Sequence, residues 1–299
     1  MIEPSPRIST IGVLGAGTMG HGIAQVAAAA GYNVVMRDID EEAVARGLES
    51  IKRNLEKGIQ RAKVTTEDRD QTLARIRATT ALTDLSEADL IIEAAPENID
   101  LKRTLLREVE AIVQHYCVFA TNTSSLSITE IAASSSRPEQ VVGMHFFNPV
   151  HIMRLVEIVV GEKTAASIVE VVRAVAQRMK KDPIIVRDVP GFASSRLGVT
   201  LGLEAMRMVE QGVASARDID TAMELGYNHP MGPLRLTDLV GLDVRLSIAE
   251  YLHGKLGTET FRPPEILRRM VREGKLGKKS GEGFYKWNDG AEPRAAANA

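Results

Sequence analysis

Ile11-Gly12-Val13-Leu14-Gly15-Ala16-Gly17-Thr18-Met19-Gly20, continued by His21-Gly22-Ile23-Ala24-Gln25-Val26-Ala27, reads as a strand, a glycine turn and a helix in that order. In such a unit the first glycine makes the tight turn, the second lets backbone approach a pyrophosphate, and the third packs helix against strand. The helix start then offers unpaired N–H groups and the positive end of its dipole to phosphate. Gly15, Gly17, Thr18, Met19 and Gly20 are therefore the expected phosphate contacts. A second apolar run, Tyr32-Asn33-Val34-Val35-Met36-Arg37, ends at Asp38, 18 residues beyond Gly20, where a carboxylate accepts hydrogen bonds from an adenosine ribose. Three glycines that merely end a strand would not need this order of elements. The chain is expected to bind NAD or a close relative.

Arg37 beside Asp38 leaves the choice of cofactor open, because an arginine there can pair with the 2′-phosphate of NADP. The Asp38 carboxylate repels that phosphate, which favours NAD, with NADP the alternative.

At 299 residues with 44% hydrophobic side chains, the chain is long enough for two domains and a substantial core. The formal charge of -2 and pI near 6.3 carry no basic excess for nucleic acid. Cys117 is the one cysteine, so neither an intrachain disulfide nor a cysteine metal cluster can form, and a reducing compartment fits. The start Met1-Ile2-Glu3-Pro4-Ser5-Pro6 has no signal-peptide pattern, and no apolar run approaches the ~18 residues of a membrane span. A cytoplasmic protein without membrane, nucleic-acid or metal partners is expected.

Beyond Asp38, polar helical segments over 41–63 and 66–77 look unlike buried crossover helices and read as a projecting helical-hairpin insertion. Its first arm carries Lys52, Arg53, Lys57, Arg61 and Lys63, a positive stripe whose bland reading is solvated surface. Parallel-strand candidates resume at 88–94, 117–120, 141–145 and 155–159, with helices at 100–114, 128–133 and 165–179 and a short apolar run at 183–186. This alternation indicates an α/β fold with a doubly wound sheet. After Val189-Pro190-Gly191 the spacing turns helical, with helices expected at 197–212, 215–224, 236–253 and 264–273. The division is thus 1–188 for the nucleotide domain and 189–299 for an all-α domain. Apolar residues such as Met206, Met208, Leu239, Val240 and Leu246 suit burial against a second copy, so a homodimer through the helical domain is expected. The charged, alanine-rich tail after Asn288 is expected to fray.

Gly143-Met144-His145-Phe146-Phe147-Asn148-Pro149 puts a histidine at the C-terminal end of a strand, the edge where open α/β sheets bind ligands. Glu157, twelve residues on, interrupts the apolar run Leu155-Val156-Glu157-Ile158-Val159-Val160, where an unpaired carboxylate is costly to bury. His145 is the economical partner: a carboxylate on one ring nitrogen fixes the tautomer and leaves the other free to exchange a proton. A purely structural pair remains the alternative. Asn122-Thr123-Ser124-Ser125 follows another strand at the same edge; helix capping is the commoner role for such a run, and it can coexist with ligand binding where the loop borders the cofactor.

These segments, together with Glu93-Ala94-Ala95-Pro96-Glu97-Asn98, Leu126-Ser127-Ile128-Thr129 and His229-Pro230-Met231-Gly232-Pro233, resemble the 3-hydroxyacyl-CoA dehydrogenase family from about residue 8 to 285. The length and Arg37-Asp38 are most similar to its bacterial 3-hydroxybutyryl-CoA members. The resemblance implies a Rossmann-type NAD-binding domain, a helical dimerisation domain, and reversible oxidation of an (S)-3-hydroxyacyl-CoA to the 3-ketoacyl-CoA. It implies His145 as base, Glu157 as its orienting acid and Ser124 as active-site serine. It also implies cofactor contacts at Asp38, Glu97, Lys102, Ser124, Asn148 and Lys279. Lys57 and Arg61 of the basic stripe are the closest matches to contacts with coenzyme A phosphates.

One position departs from the pattern. The family usually reads Pro-Gly-Phe-x-x-Asn-Arg, with the asparagine helping to hold the substrate carbonyl; here Pro190-Gly191-Phe192-Ala193-Ser194-Ser195-Arg196 puts Ser195 there. A serine still donates a hydrogen bond but is shorter, so lost polarisation costs about 1–3 kcal/mol of transition-state binding. Two alternatives stand beside the acyl-CoA reading: a related dehydrogenase for a free hydroxy acid or sugar acid, and a dinucleotide-binding protein that has lost catalysis.

Overall fold

The computed structural model describes residues 8–287 and the backbone of 294 and 295, so most of the tail expected to fray lies outside the described residues. Two compact units meet between Phe192 and Ala193.

The first unit is built on one eight-stranded sheet in the order β3-β2-β1-β4-β5-β6-β7-β8. Its strands are β1 Thr10–Leu14, β2 Asn33–Arg37, β3 Ile76–Thr79, β4 Leu90–Glu93, β5 Val118–Thr121, β6 Val141–Phe146, β7 Leu155–Val160 and β8 Asp182–Arg187. Helices α1 Gly20–Ala29, α2 Glu41–Gln60, α3 Thr66–Ala74, α4 Ile99–Glu110, α5 Ile128–Ala132 and α6 Ala166–Arg178 fill the connections. Both faces are buried, which is why β1, β4 and β5 read as unbroken apolar runs. Ile11, Val13, Leu90, Ile92, Val118 and Ala120 pack toward α1, α2 and α6, while Leu14, Ile91 and Phe119 pack toward α4 and α5. Each fully buried Ile or Leu contributes about 1.5–3 kcal/mol.

Three expectations need correction. Strand β7 pairs antiparallel with β6 and parallel with β8, because the short connection 147–154 holds a tight reversal and not a crossover helix. The segment expected to be helical to 77 instead yields β3, an edge strand beside β2, four residues too short for periodicity to separate from the preceding helix. The insertion does not project freely: Ile51 and Leu55 of α2 sit in the sheet core, and α2 and α3 both pack on α1. The apolar stripe Val44, Gly47, Ile51, Leu55 is the signal that the polar composition masked. The run at 183–186 is the edge strand β8, where Pro183 is tolerated because that side of the ladder needs no donor.

The second unit comprises α7 Ser194–Glu210, α8 Ala216–Gly226, α9 Pro233–Val240, α10 Leu242–Leu256 and α11 Glu265–Arg272 around its own core of Leu203, Met206, Leu234, Leu252, Leu267 and Phe284. The helix expected over 236–253 is two helices, α9 and α10, broken at Gly241 with φ +104°, a conformation side-chain-bearing residues avoid. Two carboxylates tie the ends of this unit together. Asp220 accepts from Leu234 N, Arg235 N and Tyr285 Oη, and Asp238 accepts from Phe284 N, Tyr285 N and Trp287 Nε1.

Candidate active site

The glycine turn adopts the geometry that its sequence requires of a phosphate site. Gly15 has φ +98°, its N–H donates to Arg37 O, and a β-carbon there would stand 2.8 Å from Ala94 O. At Gly20 a β-carbon would fall 1.8 Å from Gly15 O, whereas at Gly17 nothing lies within 4 Å. The turn is therefore closed on its protein side and open at its centre, and α1 begins behind it with no side-chain cap. Asp38, at the end of β2, accepts from Ala16 N at 2.6 Å and Ile39 N at 2.7 Å, which holds its carboxylate against the turn. Arg37 Nε donates to Thr80 O, so this guanidinium is engaged on the β3 side. These residues fit an NAD-type dinucleotide.

Further along the same strand edge, β6 and β7 place His145 directly opposite Glu157. Glu157 is fully buried and His145 is 7% exposed, with His145 Nδ1 and Glu157 Oε2 at 2.7 Å. A carboxylate can only accept, so Nδ1 carries a proton and, in the neutral imidazole, Nε2 is the nitrogen with the lone pair. Phe147 and Phe192 flank the imidazole at ring distances of 4.4 and 5.9 Å.

The loop after β5 is joined to this strand. Asn122 Oδ1 accepts from Phe146 N at 2.8 Å, and Ser127, not the 122–125 stretch, caps α5 through Glu130 N. With capping assigned elsewhere, 123–125 gather around Glu97. The Glu97 carboxylate accepts from Thr123 Oγ1 at 2.6 Å, Ser124 N at 3.0 Å and Ser125 N at 3.1 Å, and Ser124 Oγ lies 3.2 Å away. Burial disfavours its charge, but the Thr123 hydroxyl, the Lys102 ammonium and the serine donors together hold its pKa below the usual carboxylate range.

Lys102 lies deeper than its motif position discloses. Lys102 and Glu93 are both fully enclosed, with Lys102 Nζ donating to the two Glu93 oxygens at 2.7 and 2.9 Å. Thr121 Oγ1 and Ala95 N, each at 2.6 Å, complete the Glu93 set. Lys102 therefore lies beneath Glu97, with its ammonium 3.6 Å from that carboxylate and no exposed surface. Glu93 carries the same signal as Glu157, a carboxylate on an apolar strand, which the reading of the sequence passed over.

Asn148 is exposed, and the Asn148–Pro149 peptide bond is cis. Lys181 fixes the loop that follows, its buried ammonium donating to Val150 O and, at 2.8 Å, to Met153 O. Burial lowers its pKa, and nothing in the sequence pattern pointed to it. A groove of about 920 Å³ runs from Asn148 to the insertion and is lined by Lys57, Arg61, Lys63, Lys180 and Lys181, with Asp68 the one acid among the described lining residues. Lys52 and Arg53 of the stripe do not line it. Ser195 and Lys279 belong to the second unit: Ser195 is half-buried in the first turn of α7, and Lys279 Nζ is ion-paired to Asp243 at 2.6 Å.

Two family models cover nearly the whole chain: 3-hydroxyacyl-CoA dehydrogenase, NAD binding domain, over residues 10–189, and 3-hydroxyacyl-CoA dehydrogenase, C-terminal domain, over 191–287. The chain belongs to the 3-hydroxyacyl-CoA dehydrogenase family. As a member it is an enzyme, a dehydrogenase with an NAD-type cofactor. The dehydrogenase is 46% identical over 277 residues to a probable 3-hydroxybutyryl-CoA dehydrogenase of Deinococcus radiodurans, covering 92% of this chain and 99% of the relative. It is 40% identical to the 3-hydroxybutyryl-CoA dehydrogenase of Clostridioides difficile, covering 93% and 99%. Its structure superposes on that of (S)-3-hydroxybutyryl-CoA dehydrogenase from Ralstonia eutropha with a TM-score of 0.92 at 43% identity, covering 95% of this chain and 100% of the other.

Proposed function

We propose that the enzyme catalyses reversible, NAD-dependent oxidation of short-chain (S)-3-hydroxyacyl-CoA, such as 3-hydroxybutyryl-CoA, to the 3-ketoacyl-CoA. The observation that carries this reading is the buried His145–Glu157 pair at the strand edge that also bears the glycine turn and the Ser124 loop. The bound nicotinamide supplies the hydride acceptor. His145 Nε2 takes the proton of the substrate 3-hydroxyl, and Glu157 stabilises the imidazolium that results. Ser124 hydrogen-bonds the substrate oxygen, and Ser195 shares that task on the strength of its motif position. In the reverse direction His145 returns the proton.

Gly15, Gly17, Thr18, Met19 and Gly20 hold the pyrophosphate, Asp38 the ribose, and Glu97, Asn148 and Lys279 flank the remainder of the cofactor. The Asp38 carboxylate and the engagement of Arg37 with Thr80 support NAD over NADP. The groove lined by Lys57 and Arg61 suits the phosphates of coenzyme A. Exposed Leu197, Leu236, Leu239, Val240 and Val244 in the helical unit support a homodimer. No described helix is long and apolar enough to cross a membrane, and the proposed location is the cytoplasm.

The test is the initial rate of NADH oxidation on acetoacetyl-CoA, compared with NADPH and with free acetoacetate. Fast oxidation of NADH confined to the thioester is expected. Activity on the free acid would replace the acyl-CoA reading with that of a hydroxy-acid dehydrogenase.

A further inference from the structure

We propose that Phe192 is a positioning residue for His145: its ring, delivered by a turn that Asp188 pins, keeps water off the His145–Glu157 hydrogen bond and fixes the plane of the imidazole. This rests on the acid–base role given to His145 above.

Phe192 stands in a conformation that bulky side chains avoid. Its φ is +48°, and that of Gly191 before it is +76°; glycine adopts such angles freely, whereas a phenylalanine there is an outlier. Strain of this kind persists only where the surroundings over-determine it, and it gathers at functional sites. The ring is 3% exposed and shares a core with Ile128, Ile131 and Val159. It lies 5.9 Å from the His145 ring at an interplanar angle of 58°. Filling a core does not by itself call for a left-handed backbone, but aiming one ring at one neighbour does constrain it.

The segment that delivers Phe192 is tied down at each step. Asp188, directly after β8, donates its N–H to Val160 O at 3.0 Å, at the end of the strand that carries Glu157. Its Oδ2 accepts from Ser127 Oγ at 2.8 Å and Thr129 N at 2.7 Å. Val189-Pro190-Gly191-Phe192 then closes as a turn, with Phe192 N donating to Val189 O at 2.9 Å. Proline and a positive-φ glycine hold the two central positions, as in a type II turn. Phe147, by contrast, reaches the imidazole by the alternation of an extended chain, two residues along from His145.

Glu157 fixes one nitrogen of the imidazole but leaves the ring free to tilt about that hydrogen bond. Two aromatic neighbours remove that freedom, so Nε2 keeps its aim at the reacting oxygen. They also keep the hydrogen bond in apolar surroundings, where it is stronger than in water.

The experiment combines steady-state reduction of acetoacetyl-CoA by NADH with the downfield proton resonance of His145 Nδ1, identified by its absence from Glu157→Gln. Phe192→Gly removes the ring and suits the backbone. It is expected to lower kcat by about 10- to 100-fold with KM for NADH and for the thioester unchanged, and to lose the resonance to exchange with water. Phe192→Leu, which keeps apolar bulk, should recover much of both. Asp188→Ala leaves the ring but frees the turn and should lower kcat at constant KM; Asp188→Asn, which keeps an acceptor oxygen, should recover much of that loss. Melting midpoints check folding, and if Phe192→Gly does not fold, Asp188→Ala carries the same test. An unchanged kcat with the resonance intact in folded Phe192→Gly overturns the proposal, as does a rise in KM at constant kcat. Failure of the acid–base reading would appear separately, as near-normal turnover in His145→Gln.

Discussion

Glu157 Oε2 stands 2.7 Å from His145 Nδ1 across the antiparallel pair β6–β7, and both residues are buried. The carboxylate fixes which ring nitrogen is protonated. Glu157→Gln keeps the shape but offers an amide that can turn its donor toward the ring. Turnover with acetoacetyl-CoA should fall by about 10²- to 10⁴-fold, with cofactor binding retained in a fluorescence titration. His145→Gln should cost about 10²-fold or more for loss of the acid–base itself. Near-normal turnover in either variant would remove the pair from the mechanism.

The ion pair of Lys102 and Glu93 makes a different prediction. Lys102→Met leaves a carboxylate buried without its cation and should destabilise the first unit by about 3–5 kcal/mol, read as a loss in denaturant midpoint. Adding Glu93→Leu should recover much of that loss, since an apolar pair of similar volume is often as stable as a buried ion pair. A double variant no better than the single would mean that Glu93 has a further task.

Glu97 connects the loop to pH. Its folded pKa is depressed, so its contribution is complete above the ordinary carboxylate range and is lost as the pH falls through the depressed value. The difference in melting midpoint between wild type and Glu97→Gln should be constant near neutrality and shrink on acidification. A difference that grows toward low pH would contradict this assignment.

Asp38 and Arg37 set the cofactor. Asp38→Ser removes the negative charge that opposes a 2′-phosphate and should raise the NADPH to NADH ratio of kcat/KM by about 10-fold or more. An unchanged ratio would place the discrimination elsewhere.

Ser195→Asn restores the family's usual residue and should keep or improve turnover, with a gain bounded by the roughly 1–3 kcal/mol argued for the lost polarisation. Complete loss of activity in a folded variant would show that the serine has its own role.

The nucleotide turn and the His145–Glu157 pairing were readable because each is stated locally: the one as glycines between two periodic segments, the other as a single carboxylate in an apolar strand. The direction of β7 was not, since an apolar run of six looks the same whichever way it runs. The depth of Lys102 was hidden for the opposite reason. Its motif position is precise about sequence but silent about depth, and only the three-dimensional partners Glu93 and Thr121 reveal that it lies underneath. Lys181 left no trace at all, because its acceptors are backbone carbonyls that every residue possesses.

The reversal between β6 and β7 separates what can change from what cannot. Because His145 and Glu157 face one another through ladder pairing, residues can be added to or removed from the connecting segment 147–154 while the two side chains remain opposed. A single residue inserted within either strand would instead turn one of them to the opposite face of the sheet. The chemistry is thereby anchored to the ladder, while the segment carrying Asn148 is held separately, by the Lys181 ammonium on Val150 O and Met153 O.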